Sequence, residues 1–257
     1  LLAFYLKAAI VPFHAWAPDA YESASVPVTA YMATVIKSAV LLAAVRMFAG
    51  TEVPASMVAL LAGLPLLSMV WGNLTAMKQD SFRRMIAYSS IAHAGYLFYA
   101  FLGSPAGRYE AVIFYVIAYG LMNLLAFVCL PTGEDATRDR LDNLKGLFAR
   151  SPYAAVLIAA AMLSLAGIPP FPGFVAKFLI FRNVIDAGYT GWAVAGLIGS
   201  YLGIYFYLRV IQYMFMSTRE EAGAAEPSRA WAFAASLCCL LPVVLLTLFP
   251  GWLLDRL

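Results

Sequence analysis

Apolar residues run through this chain in blocks long enough to cross a bilayer, divided by short polar punctuation. A spanning helix needs roughly 20 mainly apolar residues. That rule predicts eight spans, at about 1–16, 27–49, 55–77, 84–103, 109–131, 153–182, 190–216 and 230–254. Between them, Ala17-Pro18-Asp19, Gly50-Thr51-Glu52, Lys78-Gln79-Asp80, Gly103-Ser104-Pro105 and Pro131-Thr132-Gly133 read as turns, because each combines Gly or Pro with polar residues. Two spans are not simple rods. Pro12 falls inside the first, and Ile168-Pro169-Pro170-Phe171-Pro172-Gly173 falls inside the sixth. Proline removes a backbone donor and clashes with the preceding turn, so the sixth span must be interrupted. Irregular backbone at membrane depth is tolerated only where protein buries it or it lines a watery cavity. Interrupted helices at corresponding places in two halves mark the transport site of repeat-built transporters, and spans one and six qualify as such a pair.

Composition agrees with the pattern. The chain is 63% hydrophobic and 12% charged, with a mean hydropathy of +0.80, whereas a soluble domain is about 25% charged. It is an all-α polytopic membrane protein, forming a single transmembrane domain over 1–257 with the lipid bilayer as its surroundings. Nucleic acid is discarded as a partner, since a net charge of +3 is thin and topology explains the basic loops. Lys78, Arg83, Arg84, Arg138, Arg140, Lys145, Arg150, Arg219 and Arg229 collect on one side, against Arg46, Arg108, Arg182 and Arg256 on the other. The first side is therefore expected in the cytoplasm and the C-terminus outside. Cys129, Cys238 and Cys239 read as small apolar fillers. The chain begins at Leu1 inside an apolar run with no signal-peptide pattern, which suggests the C-terminal part of a longer subunit.

The residues that carry chemistry are charges in the wrong solvent. Lys7, Lys37 and Lys177 stand in apolar runs without an acid in the same run. A lysine at the bilayer centre costs about 3 kcal/mol on insertion scales, so a role in moving protons or ions is the first reading. Lys37 lies ten residues after Pro27 and twelve before Ala49, about 15 Å from either end at a rise of about 1.5 Å per residue. Lys7 and Lys177 sit closer to their span ends and can also be read as snorkelling. Burial disfavours the charged form of an amine and a nearby carboxylate favours it, so a lysine alternating between such surroundings loads and unloads a proton. No deep carboxylate is present; Glu110 is at a helix end and the other acids are in loops. The modulating acid must come from a missing N-terminal portion or a neighbouring subunit.

His14 and His93 are further relay candidates, because imidazole exchanges protons near neutral pH; a hydrogen-bonded core histidine is the alternative for each. Neither has Cys or acid at ligand spacing, so no metal is expected. Around His93, Tyr88, Ser89, Ser90, Tyr96 and Tyr99 form a polar face that suits either a water path or helix–helix hydrogen bonds. Arg209 is a helix-end anchor or an end point of the path. No phosphate loop, nucleophile elbow or haem motif occurs, so no covalent or redox chemistry is expected of this chain itself.

Three stretches carry a resemblance: Tyr5 to Tyr21 with Pro27-Val28-Thr29-Ala30; Gly72-Asn73-Leu74-Thr75-Ala76 leading to Arg83 through Tyr96; and Ala161 through Pro170 with Gly173-Phe174-Val175-Ala176-Lys177-Phe178. Together they resemble the antiporter-like membrane subunits of respiratory complex I. Phe13-His14-Ala15-Trp16 and Ile91-Ala92-His93-Ala94-Gly95-Tyr96 resemble most the subunit N family of bacterial NADH-quinone oxidoreductase, the counterpart of mitochondrial subunit 2. The resemblance implies an inverted-repeat fold of fourteen helices, of which the eight spans here would be the last eight. It implies that Lys7 belongs to the first broken helix, that Lys37 is the central relay lysine and that Lys177 passes protons outward at the second broken helix. It places His14 and His93 in the hydrated path. The implied activity is proton translocation coupled to quinone reduction elsewhere in the complex, as part of an NADH:quinone oxidoreductase of the translocase class. No cofactor is implied in this chain; NAD, FMN, iron-sulfur clusters and quinone belong to other parts. The implied partners are the other membrane-arm subunits, and the implied location is the bacterial inner membrane. A multisubunit cation/proton antiporter and a membrane-bound hydrogenase use related subunits and are the alternatives. A passive scaffold is disfavoured because it has no use for three costly lysines.

Overall fold

The computed structural model describes residues 1–48, 50–51, 54–131, 140–216 and 230–256. Helices dominate these residues: α1 (Leu2–Ala8), α2 (Trp16–Ser23), α3 (Val26–Met47), α4 (Ala55–Ala76), α5 (Phe82–Leu102), α6 (Pro105–Val128), α7 (Pro152–Ala166), α8 (Pro172–Asp186), α9 (Thr190–Met216) and α10 (Ala230–Leu248). Among the described residues five helices are long and apolar enough to cross a membrane, namely α3, α5, α6, α9, which makes a turn at Leu202 and Gly203, and, from Ser56, α4. α1 with α2 and α7 with α8 are the two interrupted passes, and α10 is a shorter apolar helix. The passes follow the runs read from the sequence, with one correction. Ala17-Pro18-Asp19 is not a turn; α2 begins at Trp16 and runs to Ser23. Pro18 sits in its first turn, where the N–H is unpaired anyway, so proline starts this helix instead of stopping it.

α5 is the spine of the bundle. Its apolar window is 94% buried, far above the 39% of α4 and of α9, so other helices surround it. Small residues bring α4 against it. A β-carbon at Gly72 would lie 2.8 Å from the Tyr88 carbonyl oxygen, and one at Gly95 would lie 2.6 Å from that of Pro65. Close backbone approach through glycine is a usual device of membrane helix pairs.

The two interruptions are built alike. α1 ends on Ala9 in the left-handed conformation (φ 62) and α7 ends on Gly167 in the same conformation (φ 83). In each, the next amide reaches back over the cap: Ile10 N–H donates to the Tyr5 carbonyl (2.9 Å) and Ile168 N–H to that of Leu163 (3.1 Å). A cis X-Pro peptide follows in both, Val11-Pro12 and Pro169-Pro170. A serine hydroxyl then takes an amide that the break leaves over: Ser68 Oγ accepts from Val11 N–H (2.8 Å) and Ser164 Oγ from Gly173 N–H (3.0 Å).

The ends of the bundle are tied by charges. At one end Arg84 pairs with Asp19 (2.8 Å) and Glu22 (2.6 Å), and Arg209 pairs with Asp80 (3.1 Å) and bonds the Met77 and Gln79 carbonyls. Leu141 N–H donates to the Asp80 carbonyl there, and Arg83 reaches the Ala24 carbonyl. At the other end the Arg108 guanidinium is buried and donates to the carbonyls of Phe48, Thr51, Phe101 and Gly103. The alternation of loops between two ends is thus as expected, but Arg108 is a buried clamp and not a loop charge. Arg209 takes the anchor role. Glu52, Glu134, Asp135, Arg138, Asp139, Arg219, Glu220, Glu221, Glu226, Arg229 and Leu257 lie outside the described residues.

Candidate functional site: a polar row through the apolar interior

Lys37 follows a single wide turn, Met32–Ile36, in which α3 bonds in the π pattern before returning to α-helix. Such turns are rare and recur at functional positions. The Lys37 side chain is 3% exposed, and its ammonium donates to the Ser90 carbonyl (2.7 Å) and the Ser90 hydroxyl (2.6 Å) of α5. Ser90 in turn donates to the Ala87 carbonyl (2.8 Å).

Three residues further along α5, and so on the adjoining surface of that helix, lies His93. Both ring nitrogens are engaged: Nδ1 with the Tyr115 hydroxyl of α6 (2.8 Å) and Nε2 with the Tyr207 hydroxyl of α9 (2.9 Å). Tyr207 also bonds Ser89 (2.6 Å). A tyrosine hydroxyl both donates and accepts, so either tautomer of a neutral imidazole is satisfied here. Interchange of those tautomers is how an imidazole passes a proton along.

Another three residues on, the Tyr96 ring carries the Lys177 ammonium 4.9 Å from its centroid. Tyr96 is held by Asn73 Nδ2, which donates to its hydroxyl (3.0 Å) and to the Gly199 carbonyl (2.9 Å). Lys177 is buried, and donates to the Ala166 carbonyl (2.9 Å) and the Ser200 hydroxyl (3.1 Å). The reason for the break is visible in that first bond. Ala166 is the last residue of α7, where carbonyls lack helical partners and the helix dipole favours a cation. Interrupting the helix thus creates the acceptor that seats the lysine.

Both buried lysines therefore have the same seat, one backbone carbonyl and one serine hydroxyl. No carboxylate among the described residues pairs with either. An ammonium in an apolar interior is tolerable only when its protons are hydrogen-bonded, and these seats supply that without fixing the charge by a counter-ion.

Of the five expected residues, the structure brings Lys37, His93 and Lys177 into one row along α5. Lys7 and His14 stand apart from it. Lys7 is exposed on α1, as are the neighbouring Leu2 and Leu6. His14 is half-buried at the first break, where Trp71 Nε1 donates to its Nε2 (3.1 Å) and its Nδ1 is buried without a partner. The sequence reading missed Tyr115, Tyr207 and Ser200, whose contribution depends on two other helices, α6 and α9, meeting the row. Asn73 was within a quoted motif but had no role assigned. Among the described residues no group of three or more His, Cys, Asp or Glu is placed to hold a metal, and the three cysteines are free.

Comparison with known proteins gives a consistent picture. The family model described as NADH:quinone oxidoreductase/Mrp antiporter, transmembrane, matches residues 1–203. NADH-quinone oxidoreductase subunit N of Pelobacter propionicus is 44% identical over 255 residues, covering 98% of this chain and 54% of that protein. A chain of respiratory complex I from Thermus thermophilus with bound aureothin superposes with a TM-score of 0.85 at 36% identity, over 99% of this chain and 57% of that one. A chain of the Mrp complex from Dietzia, at 24% identity and a TM-score of 0.81 over 99% of this chain and 56% of that one, shares the fold. The chain spans about half the length of the curated relatives it matches.

Proposed function

Because the chain belongs to the NADH:quinone oxidoreductase/Mrp antiporter transmembrane family, we propose that it is the C-terminal, proton-conducting part of a subunit N of NADH-quinone oxidoreductase. It forms one transmembrane domain in a bacterial inner membrane, against other membrane-arm subunits of the complex. The redox steps and their NAD, FMN, iron-sulfur clusters and quinone lie in other subunits. The observation that carries the reading is the row itself: two buried ammonium groups without carboxylates, joined along α5 by a histidine that bonds a tyrosine hydroxyl at each nitrogen.

In this reading a proton is taken up at Lys37, moves past Ser90 to His93, and leaves through Lys177 at the second break. Lys7 and His14 serve the same path from the first break. In this reading the acidic partner of the exposed Lys7 is supplied by another part of the subunit or by a neighbouring subunit. Relatives 44% and 34% identical to this chain are named subunit N, which favours this reading over a cation/proton antiporter of the same fold.

The test is Lys37→Ala and Lys37→Arg in the full subunit within the assembled complex. Lys37→Ala should abolish most proton pumping and lower quinone reduction with it, while leaving the amount of complex unchanged. Arginine stays protonated in proteins, so it should not restore pumping. Normal pumping by either assembled variant removes the proposal.

A further inference from the structure

α9 leaves regular α-helical bonding at Leu202 and Gly203 and resumes it at Ile204. In an unbroken helix the Gly203 N–H would donate to the Gly199 carbonyl. Here it donates to the Ser200 carbonyl instead (3.1 Å), and the Gly199 carbonyl is released sideways to Asn73 of α4, whose Nδ2 donates to it (2.9 Å). The fit is close. A β-carbon at Gly203 would lie 2.8 Å from Asn73 Oδ1 and 3.2 Å from its Cγ, so only a bare backbone admits the amide. Asn73 is 2% exposed, and the second proton of the same nitrogen goes to the Tyr96 hydroxyl of α5 (3.0 Å). Because the Gly199 carbonyl can only accept, the atom facing it must be the nitrogen, and the Tyr96 hydroxyl accepts from it as well.

These two bonds end on two walls of the Lys177 seat. One wall is the Tyr96 ring, its centroid 4.9 Å from the ammonium. The other is Ser200, the residue after Gly199, whose hydroxyl accepts from the ammonium (3.1 Å). Asn73 acts on the lysine through these walls and not by bonding it. A side chain with a single donor, such as serine, could hold one wall but not both. The amide holds both at once, and it does so from α4, a helix that carries no member of the row. We propose that Asn73 is the positioning residue of the Lys177 seat, fixing the Tyr96 ring on α5 and the Ser200 hydroxyl on α9 relative to each other.

The proposal rests on the relay reading above and concerns only its exit side. An ammonium seated by a carbonyl, a hydroxyl and a ring face depends on their geometry, because each of these contacts weakens with misalignment. With Asn73 in place the walls are set by the scaffold and need not reorganise when the proton arrives or leaves. Without it the Gly199 carbonyl and the Tyr96 hydroxyl lose their donor, the walls drift apart, and transfer at Lys177 becomes the slow step. The Lys37 seat is made by Ser90 alone and does not involve Asn73.

The experiment uses the full subunit in the assembled complex, reconstituted into vesicles, with pumping read per assembled complex in ordinary and in heavy water. Asn73→Ala should lower pumping about tenfold, within the ~10²-fold that a displacement of about 1 Å at a reacting group can cost. It should also enlarge the solvent isotope effect, since proton transfer then limits the cycle. A merely structural loss would leave fewer sound complexes with an unchanged isotope effect. Asn73→Ala combined with Gly203→Ser separates stability from position. A serine hydroxyl can bond the carbonyl four residues back, which gives Gly199 a donor within α9 but ties α9 to neither α4 nor α5. The denaturation midpoint should move back toward the original while pumping stays low. Tyr96→Phe keeps the ring and removes the hydroxyl that Asn73 holds. It should enlarge the isotope effect too, and it decides the matter should both Asn73 variants fail to assemble. Normal pumping by Asn73→Ala overturns the proposal, as does an unchanged isotope effect in it or in Tyr96→Phe, or a recovery of pumping in step with the midpoint. Lys177→Ala separates the two readings. If it pumps normally the relay itself is wrong; if it is inactive while Asn73→Ala pumps normally, only the positioning role is wrong.

Discussion

Gly167→Ala asks whether the second break exists to place an ammonium or only to bend a helix. A β-carbon at Gly167 would lie 2.8 Å from Lys177 Cδ and 3.1 Å from its Nζ. Unstrained carbon pairs sit at about 3.5–4.0 Å, so the lysine chain must retreat by about 1 Å. Its bonds to Ala166 and Ser200 are 2.9 Å and 3.1 Å long, and a retreat of that size breaks at least one. The backbone cost is modest: a non-glycine residue in the left-handed region costs about 1–2 kcal/mol. The first break already bears it at Ala9 (φ 62). The atom struck belongs to a flexible side chain, so the fold should survive. A displacement of about 1 Å at a reacting group costs up to about a hundredfold. The expected outcome is therefore complex assembled in normal amount, seen on native gels, with proton pumping below a tenth of the original in a fluorescence-quench assay on vesicles. Ala9→Gly, at the corresponding position of the other break, should pump normally. Normal pumping by Gly167→Ala would refute the reasoning, and so would failure of Ala9→Gly to the same degree.

Gly173→Ala should behave in the opposite way. Its β-carbon would collide with the Ser164 carbonyl, which is backbone and cannot yield, so assembled complex should be lost on native gels. Asn73→Ala leaves the Gly199 carbonyl and the Tyr96 hydroxyl short of a donor; at about 1–3 kcal/mol per abandoned buried group, the denaturation midpoint of the purified complex should fall. Cysteines placed at Lys78 and Asp186, exposed at opposite ends of the bundle, should be labelled in intact cells by an impermeant reagent only at position 186. Labelling only at position 78 would reverse the orientation taken from the Lys and Arg count.

What could be read from the sequence was what depends on run length and local chemistry. The spans and the break after Ala166 follow from counting apolar residues and prolines. The break at Pro12 was read as well, but not the helix that resumes behind it, since Pro18 looks the same whether it stops a helix or begins one. Lys7 and Lys177 read alike along the chain, yet one is exposed and the other buried, because exposure depends on which helices surround a face. The partners of His93 come from residues 22 and 114 positions away, and no local pattern points to them. Nor did periodicity show that Arg108 is a buried clamp, since only the folded chain turns four carbonyls toward it.

The twin seats have a consequence for how charge is counted inside this bundle. Neither has a fixed anion among the described residues, so the electrostatic balance of one depends on whether the other is occupied. Ser90, which seats one ammonium, and Tyr96, which carries the other, are six residues apart on α5, about 9 Å along the axis at about 1.5 Å per residue. Two unit charges no closer than that repel by at most about 2 kcal/mol at an effective dielectric of about 20, a bias of up to roughly thirtyfold against double occupancy. In the proposed relay the interior would then hold one charge more readily than two, so that a proton reaching one seat would weaken the hold of the other.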